Sequence, residues 1–401
     1  MSEIDHVRAA PLVRGLYLEA AHSPLALAAS SAPAPSGAPS VDLSGFFDGT
    51  SDEAAAAGAL KTAFQKRATS AGELPACVEV RNGKARTTYW PGKDLDEARG
   101  RGAAGGGGAW PVPSRTAVPA GSALGRSTVV EGRIALVTGG AQGFGKEIVR
   151  GLAASGALVF VADMNVPGAE SLAGSLNSAA GRTVALPIPM NVADEDSVAE
   201  VFRSVAAAAG GIDLVVSNAG VLRAGSVLDQ DAGVFRFVTE VNYTGFFLVA
   251  KHAGLLLRRQ RIAAPAWRTD IVQVNSKSGL QGSNRNGAYA GSKFGGLGLV
   301  QSFALELVEY GVKVNAICPG NFFDGPLWSD PESGLFVQYL RSGKVPGART
   351  LADVKAFYEA KVPMGRGCEG PDVMRALYYL VEQEYETGQA LPVTGGQVML
   401  N

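Results

Sequence analysis

The chain has 401 residues, 46% of them apolar and 18% charged, which is the composition of a globular protein with one large domain and an appendage, or with two ordinary domains. Its 36 basic residues are balanced by 37 acidic ones, so the basic excess that a nucleic-acid partner requires is excluded. The three cysteines are too widely separated to assemble a disulfide framework or a four-ligand zinc site, and they indicate a cytosolic protein.

Membrane insertion and secretion are not expected either. No run of 18 or more apolar residues occurs, and Glu3 and Asp5 lie where a secretory signal requires positive charge. The three histidines, His6, His22 and His252, have no partner at metal-ligand spacing, so the sequence predicts no metal site.

Residues 1–128 are rich in Ala, Gly and Pro and are predicted to form an N-terminal extension. The stretches 30–40 and 100–125 have the composition of linkers, because their Gly, Pro and Ser residues sustain neither a helix nor a core. The extension is therefore expected to be partly disordered, with at most a small α+β unit between the two linkers.

Two local patterns lie in this segment. Thr50 and Glu53 have capping-box spacing ahead of an alanine-rich run, which predicts a helix. Residues 77–90 are predicted to form a β-hairpin that turns at Asn82 and Gly83. No motif here indicates a function.

From residue 129 to 401, short β-branched runs alternate with segments of helical period. The predicted strands are 133–139, 157–163, 183–190, 212–218, 270–276, 313–320 and 390–396, and the helices between them include 144–155, 167–179, 194–209, one ending near 259, and 288–310. This alternation predicts an α/β fold with a Rossmann-type doubly wound parallel sheet, whose ligands bind at the carboxyl ends of the strands.

The first strand is followed by a glycine-rich turn, residues 138–145 (TGGAQGFG), that opens a helix. Such a turn lets backbone N–H groups approach a pyrophosphate, although a tight turn without a ligand remains an alternative. The cofactor-binding candidates in it are Gly139, Gln142, Gly143, Phe144 and Gly145.

The second strand ends in Asp163, where a carboxylate accepts both ribose hydroxyls of an adenosine and repels a 2′-phosphate. No cation follows Asp163 in the next three residues, so the pattern favours NAD over NADP. The alternative is that Asp163 only caps the helix that follows.

Five motifs in this order resemble the short-chain dehydrogenase/reductase family, and the resemblance covers about residues 131–401. The matching motifs are residues 138–145 for TGxxxGxG, Asn218-Ala219-Gly220 for NAG with Ser217 in place of the usual Asn, Asn242, Ser276 at 13 residues before Tyr289, and Tyr289 to Lys293 for YxxxK. The resemblance implies an oxidoreductase with a nicotinamide cofactor.

The catalytic candidates are Asn242, Ser276, Tyr289 and Lys293. Tyr289 and Lys293 are four residues apart in a predicted helix and share one face. The ammonium and the nicotinamide cation are expected to lower the phenol pKa from about 10 by roughly two or three pH units, so that Tyr289 exchanges a proton with the substrate oxygen. The resemblance implies that Ser276 orients that oxygen and that Asn242 holds a water linked to Lys293.

Further cofactor contacts are implied by the resemblance. Asn191 and Val192 follow the third strand, where the family places an acidic residue on adenine, and an amide replaces it here. Pro319 and Gly320 lie in the loop that the family places against the nicotinamide. The hydroxyl residue usual after that loop is absent, so contacts to the carboxamide are expected from backbone.

Within the family, the sequence resembles in particular the sorbitol-6-phosphate 2-dehydrogenases. The resembling segments are 275–279, 289–296, 320–321, 361–368, 387–389 and 393–398. The implied substrate is a sugar alcohol phosphate, and the substrate-binding candidates are Ser276, Lys277, Arg285, Asn321 and Arg366. Each cation is alternatively a solvated surface charge. Residues 321–362, rich in aromatic side chains, are predicted to form a substrate lid.

Two other functions remain open at this point. One is reduction of another carbonyl, such as a 3-oxoacyl thioester, and the other is a non-catalytic nucleotide-binding scaffold. The small-residue segment 296–307 resembles the family's dimer interface, so a homodimer or homotetramer is expected.

Overall fold

The computed structural model describes residues 5–21, 24–49, 51–66, 73–104, 110–111, 125–332, 334–341, 343 and 345–400. Within these ranges the chain forms a seven-stranded sheet, a four-stranded sheet and one two-stranded pair. The larger sheet comes from the second part of the chain, and the two smaller ones come from the first.

The seven-stranded sheet consists of β7 (Ile134–Thr138), β8 (Leu158–Asp163), β9 (Ala185–Pro189), β10 (Leu214–Ser217), β11 (Thr269–Val274), β12 (Val312–Pro319) and β13 (Ala390–Val393). All neighbouring strands are parallel, in the order β13-β12-β11-β10-β7-β8-β9. Strands β7, β10, β11 and β12 are buried along their whole length, as expected for a parallel sheet covered by helices on both faces. The predicted Rossmann-type fold and its strands are confirmed.

The helices around this sheet are α5 (Gly143–Ala154), α6 (Val166–Ala180), α7 (Glu195–Ala209), α8 (Ala232–Thr239), α9 (Gly245–Ala263), α10 (Gly287–Leu307), α11 (Pro326–Ser329), α12 (Leu335–Arg341), α13 (Leu351–Glu359) and α14 (Gly370–Glu382). Strand order reverses between β7 and β10. The loops after these two strands therefore open a crevice at the carboxyl edge of the sheet, which is where such folds bind ligands.

The N-terminal unit comprises the described residues between 5 and 111. It contains helices α1 (His6–Ala21), α2 (Ser44–Phe47), α3 (Glu53–Gln65) and α4 (Leu95–Ala104), with strands β1 (Ala26–Ser30), β2 (Ser40–Asp42), β3 (Glu73–Leu74), β4 (Val78–Asn82), β5 (Ala85–Gly92) and β6 (Trp110–Pro111). Its four-stranded sheet has the order β1-β5-β4-β2, and its core includes Leu12, Tyr17 and Phe46. The unit is larger and better packed than the sequence patterns indicated.

The details of this unit differ from the predictions at three places. Helix α3 is capped by Asp52, whose carboxylate accepts the Ala55 N–H at 2.8 Å, whereas Thr50 lies outside the described residues. The predicted hairpin is present as β4 and β5, but Asn82 pairs with Ala85, so the turn lies one residue later than predicted. Helix α4 includes the first residues of the predicted linker 100–125, while 105–109 and 112–124 lie outside the described residues.

Helix α1, which no pattern predicted, packs on α7 and α9. It crosses α9 at Gly15, where an added Cβ would lie 2.6 Å from Cβ of Ala263. At the same contact the fully buried Arg14 guanidinium bonds both carboxylate oxygens of Asp213, at 2.7 and 3.0 Å, and the Gln260 side-chain oxygen at 2.8 Å. The N-terminal unit thus contributes a charge to the amino edge of the large sheet.

None of the helices in the described ranges is both long enough and apolar enough to cross a membrane.

Candidate active site

The glycine-rich turn after β7 is shaped so that side chains cannot fit at two of its positions. Gly139 has a φ of +63°, and a Cβ added to it would lie 2.9 Å from Cα of Ala219. A Cβ at Gly145 would lie 2.5 Å from the side-chain nitrogen of Asn218. Helix α5 begins at Gly143, and the residue before it, Gln142, makes no side-chain cap. The backbone N–H groups in the first turn of α5 are therefore placed to donate hydrogen bonds to a pyrophosphate.

Asn218 holds this turn against the loop after β10. Its side-chain nitrogen donates to the carbonyl oxygens of Thr138 and Gly139 at 3.0 and 3.1 Å. In return, the Thr138 hydroxyl accepts the backbone N–H groups of Asn218 and Ala219, both at 3.0 Å. The predicted residues Gly139, Asn218 and Ala219 are thus brought together at the switch point of the sheet.

Asp163 lies at the end of β8, beside the same turn. One carboxylate oxygen accepts the Ala141 N–H at 2.9 Å and the other accepts the Asn165 N–H at 2.8 Å. Each oxygen has a further lone pair with which it can accept a ribose hydroxyl. After β9, Asn191 bonds the Ala193 N–H at 3.1 Å, and the neighbouring Val192 is buried.

Ser276, Tyr289, Lys293 and Asn242 come together from three elements. Ser276 follows β11, and its hydroxyl makes a side-chain hydrogen bond with the phenol of Tyr289 on α10. The Lys293 ammonium, one turn further along α10, lies 5.6 Å from the centre of the Tyr289 ring. It donates to the carbonyl oxygen of Val274 at 3.1 Å.

Asn242 lies in a π-helical turn, Glu240–Thr244, between α8 and α9. Its buried amide accepts the Val221 N–H at 2.8 Å and donates to the Val221 carbonyl at 2.9 Å and to the Ser292 hydroxyl at 3.1 Å. A Cβ on Gly220 would lie 3.3 Å from the Asn242 oxygen and 3.6 Å from the Lys293 nitrogen. Asn242 therefore ties the loop after β10 to α10.

Burial governs the electrostatics of this group. Burial raises the pKa of Tyr289, although the hydrogen bond from Ser276 acts to lower it. Burial lowers the pKa of Lys293 to about 8. The direction for Tyr289 differs from the expected depression, because the Lys293 ammonium hydrogen-bonds a carbonyl rather than the phenol and does not offset the desolvation.

The loop after β12 forms the opposite wall. The Gly320 N–H donates to the Val393 carbonyl at 2.9 Å, and a Cβ on Gly320 would lie 3.1 Å from the side-chain oxygen of Gln397. That oxygen is buried and has no hydrogen-bond partner among the residues that the structure describes. An unpaired acceptor beside a glycine suits the amide N–H of a nicotinamide carboxamide, so these residues fit the implied cofactor. Gln397 lies within the resembling segment 393–398 but was not among the predicted cofactor contacts.

Two aromatic rings join the walls of the crevice. Phe144, at the start of α5, stacks on Phe322, which follows β12, with ring centres 4.4 Å apart and planes 14° apart. The other aromatic residues of the predicted lid form a small core of their own that includes Phe323, Trp328 and Phe336. This confirms a packing role for them, while their role as a lid stays a prediction.

The three predicted substrate cations lie in different surroundings. Lys277 follows Ser276 directly and is half-buried. Arg285 is exposed and has a φ of +55°, with its carbonyl accepting the Gly225 N–H. Arg366 forms a two-bond ion pair with Asp372 at 2.6 and 3.0 Å, which raises the Arg366 pKa.

The loop that carries Arg366 borders a cavity of about 410 Å³ between the start of α14 and the end of the chain. Asp372, Arg375 and Thr394 also line this cavity. The Asn321 carbonyl accepts the Cys368 N–H at 2.8 Å and joins the same loop to the end of β12. The Arg366 guanidinium is thus paired with a carboxylate of the protein itself, Asp372. Its contact with substrate stays a prediction.

In the described part of the chain, no three His, Cys, Asp or Glu side chains lie close enough together to hold a metal ion. All three cysteines are free and buried.

Proteins of known function resemble the chain over the part that carries this site. The model of the short chain dehydrogenase family matches residues 133–328. The sorbitol-6-phosphate 2-dehydrogenase of Escherichia coli (strain K12) is 37% identical over 270 residues, which are 67% of this chain and 99% of that protein. The 3-oxoacyl-[acyl-carrier-protein] reductase FabG of Thermotoga maritima is 29% identical over 273 residues, 67% of this chain and 99% of that protein.

A solved structure also resembles the chain over the part that carries this site. The sorbitol-6-phosphate 2-dehydrogenase SrlD from Erwinia amylovora superposes with a TM-score of 0.61 at 37% identity, over 66% of this chain and 100% of that one.

Proposed function

Because the chain belongs to the short-chain dehydrogenase/reductase family, whose members oxidise CH–OH groups or reduce the corresponding carbonyl groups with a nicotinamide cofactor, we propose that it is an NAD-dependent dehydrogenase of a sugar alcohol phosphate. Its proposed substrate is of the type of sorbitol 6-phosphate, which it converts to fructose 6-phosphate. The observation that carries this proposal is the convergence of Ser276, Tyr289 and Lys293 at the carboxyl edge of the sheet, in a chain 37% identical to a sorbitol-6-phosphate 2-dehydrogenase.

In this mechanism the nicotinamide ring of bound NAD supplies the hydride acceptor. Tyr289 removes the hydroxyl proton of the substrate, and Ser276 holds the same oxygen by a hydrogen bond. Lys293 stabilises the ionised phenol, and because burial raises the Tyr289 pKa, the required depression depends on the nicotinamide cation as well as on Lys293. Asn242 fixes the helix that carries Lys293 and, in this proposal, holds the water through which the proton leaves.

The preference for NAD is supported by Asp163. The turn that its carboxylate contacts has no cation between Gly140 and Gly143, so a 2′-phosphate would meet negative charge without compensation. The proposed cofactor contacts continue through the glycine-rich turn to Asn191, Val192, Pro319 and Gly320.

Asn321, Arg285 and Arg366 complete the proposed substrate contacts. Arg366 reaches a substrate phosphate only by exchanging its partner Asp372. An Arg366→Ala change that raised KM for a phosphorylated polyol, and not for its unphosphorylated analogue, would support this exchange.

The second candidate function is reduction of a 3-oxoacyl thioester, since a 3-oxoacyl-[acyl-carrier-protein] reductase is 29% identical over a similar length. A carrier protein is acidic and requires a basic docking patch, whereas this chain has a formal net charge of −1. A non-catalytic scaffold is less consistent with the chain, because all four catalytic residue types are present.

We further propose that residues 129–401 form the NAD-binding domain and that residues 1–128 form a supporting extension. A homodimer or homotetramer is supported by exposed apolar side chains on α9 and α10, among them Phe247, Phe294 and Leu305. A cytoplasmic location is supported by the three free thiols.

The test is reduction of NAD, followed by absorbance, with a panel of sugar alcohols and their phosphates. We expect turnover with a hexitol phosphate and little with the free hexitol, and loss of turnover in Tyr289→Phe. Turnover of a 3-oxoacyl thioester alone would favour the second candidate, and equal turnover by Tyr289→Phe would contradict the mechanism.

A further inference from the structure

We propose that Asn275 is a positioning residue of this enzyme, whose buried amide fixes Ser276 against the turn of α10 that carries Tyr289 and Lys293. The proposal rests on the proposed function in one respect, since it takes Ser276 and Tyr289 to be the groups that act on the substrate oxygen. Asn275 is only 3% exposed, so it acts through its neighbours and does not itself touch a substrate.

The Asn275 side chain joins the end of β11 to the backbone of α10. Its oxygen accepts the Ser276 N–H at 2.8 Å, and its nitrogen donates to the Lys293 carbonyl at 2.9 Å. The backbone N–H of Asn275 donates to the Ile317 carbonyl at 2.8 Å, which ties the same residue to β12. A single amide therefore fixes the main chain of Ser276 relative to the main chain of Lys293.

Gln273, two residues earlier on the same face of β11, fixes the orientation of this amide. Gln273 is buried, and its side-chain oxygen accepts the Asn275 nitrogen at 2.7 Å. An amide nitrogen has two donor hydrogens, and those of Asn275 are both used, one by Gln273 and one by Lys293. A rotation of the Asn275 amide by half a turn would place its nitrogen against the Ser276 N–H and its oxygen against the Lys293 carbonyl. Only one orientation of the buried amide is thus satisfied.

Two glycines leave room for these amides. A Cβ on Gly279, in the turn after Ser276, would overlap the Asn275 oxygen. A Cβ on Gly296 of α10 would lie 2.7 Å from the Gln273 side-chain nitrogen and 3.1 Å from that of Asn275. Neither glycine has a positive φ, so the space for the amides, and not the backbone conformation, requires glycine at these two positions.

Three successive residues at the end of β11 each hold one part of the candidate site. The Val274 carbonyl accepts the Lys293 ammonium at 3.1 Å, and Asn275 binds the carbonyl of the same lysine. Ser276 comes next, with its hydroxyl beside the Tyr289 phenol. Because Tyr289 lies one turn before Lys293 on α10, fixing the Lys293 backbone also fixes the phenol relative to Ser276. Loss of the Asn275 amide should let the strand end and the helix move apart and displace the hydroxyl from the phenol.

A second buried asparagine, Asn315 on β12, provides a matched control. Like Asn275, it bridges two backbone groups: its nitrogen donates to the Glu386 carbonyl at 2.9 Å and its oxygen accepts the Gln389 N–H at 3.0 Å. It is 1% exposed, and the backbone groups that it joins carry none of the candidate catalytic side chains. Alanine at either position should therefore cost similar stability, whereas only Asn275→Ala should cost activity.

The first experiment measures kcat and KM of both variants with the alcohol that the wild type oxidises best. We expect kcat to fall about tenfold to a hundredfold in Asn275→Ala, because a displacement of about 1 Å between reacting groups has an effect of this size. KM in Asn275→Ala, and kcat in Asn315→Ala, should each stay within about threefold of the wild type. Gln273→Met keeps both bonds of Asn275 to the backbone, so it should lower kcat less, and it serves as the test if Asn275→Ala does not fold.

The second experiment asks whether Asn275 acts through Ser276. In a Ser276→Ala background the hydroxyl is absent, so Asn275→Ala should lower the remaining kcat by no more than about threefold. An asparagine with a purely structural role would lower kcat by the same factor in both backgrounds, which would overturn the positioning role and leave the proposed function standing. Coupling between the two residues in a chain that oxidises another alcohol, and no sugar alcohol phosphate, would support the positioning role and overturn the proposed substrate.

The third experiment is a crystal structure of Asn275→Ala and needs no turnover. We expect the Ser276 hydroxyl to lie about 1 Å or more farther from the Tyr289 phenol than in the wild type, with the fold retained. Asn315→Ala should leave that distance unchanged. An unchanged distance in Asn275→Ala would overturn the positioning role, whatever alcohol the chain oxidises.

Discussion

Both edges of the large sheet contain a buried side chain that can carry charge. The surroundings favour the charged form of this side chain at the amino edge and disfavour it at the carboxyl edge. At the amino edge, burial disfavours the charged form of Asp213, but Arg14 and the other donors outweigh burial and hold the Asp213 pKa below its usual range. At the carboxyl edge, Lys293 is equally buried and has a carbonyl as its hydrogen-bond partner, so burial lowers its pKa to about 8. When the partners of a buried charge fully offset its loss of hydration, the charge is retained in the folded protein. When they offset it only in part, as at Lys293, the group titrates near neutral pH.

A third buried charge shows what decides between these outcomes. Asp270 lies 2.9 Å from Lys313, yet burial raises its pKa. The Lys313 ammonium also donates to carbonyl groups at the end of α14, including that of Gln383 at 2.7 Å. Because the Lys313 ammonium is shared among several acceptors, it stabilises the ionised form of Asp270 less than Arg14, with its two hydrogen bonds, stabilises the ionised form of Asp213.

The largest effect is expected at the carboxyl edge. Tyr289→Phe removes the proposed proton acceptor and keeps the ring, so kcat should fall by about a hundredfold to ten-thousandfold. NAD affinity, measured by fluorescence, should change little. Tyr310→Phe, at a half-buried tyrosine just beyond the same helix, is the control and should keep full activity. A Tyr289→Phe enzyme with near-normal kcat would show that another group moves the proton.

The next largest effect is expected at the amino edge. Arg14→Met leaves Asp213 buried without its counterion and should lower the free energy of unfolding by about 3 to 5 kcal/mol in denaturant titrations. Arg150→Met breaks an exposed pair with Glu147 and should cost at most about 1 kcal/mol. Equal losses in the two variants would mean that the N-terminal unit does not stabilise the sheet through this charge.

The contrast between the edges also predicts a pH dependence. The pKa of Lys293 is about 8 in the folded chain and 10.5 as an ordinary lysine, so between these values the unfolded chain binds more protons. The contribution of Lys293 to the free energy of unfolding therefore rises as the pH increases from about 8 to about 10.5, and this gain is lost below pH 8. Relative to Lys293→Met, the wild type should gain about 1 to 3 kcal/mol in free energy of unfolding across this pH interval. A constant difference between the two proteins would contradict the lowered pKa.

The candidate site at the carboxyl edge could be predicted from the sequence, and the buried charge at the amino edge could not. Tyr289 and Lys293 are linked by spacing within one helix, and the strands around them carry their apolar pattern locally. Helix α1 contains Pro11 and Gly15, which weaken any helical pattern, and its burial depends on α9, more than 200 residues away. Its contacts are with residues far away in the sequence, so no local pattern indicates them.

The same distinction applies within the candidate site. Gly139 and Gly145 were predictable because a backbone shape selects glycine at those positions. The stacking of Phe144 on Phe322 was not, because these residues are 178 positions apart and meet only when two loops of the folded chain come together. The unpaired oxygen of Gln397 likewise becomes visible only when the end of the chain is placed beside Gly320.

The smallest expected effect concerns the choice of cofactor. Asp163→Asn keeps an oxygen to accept the Ala141 N–H and removes the negative charge that repels a 2′-phosphate. The ratio of kcat/KM for NAD over NADP should fall about tenfold, mainly through a lower KM for NADP, since one charge at partial exposure is worth about 1.4 kcal/mol. Asp194→Asn, at the N-cap of α7, is the matched control because it changes the same charge away from the turn. If both changes shift the ratio equally, overall charge and not Asp163 sets the preference, and the carboxyl edge discriminates between cofactors by some other contact.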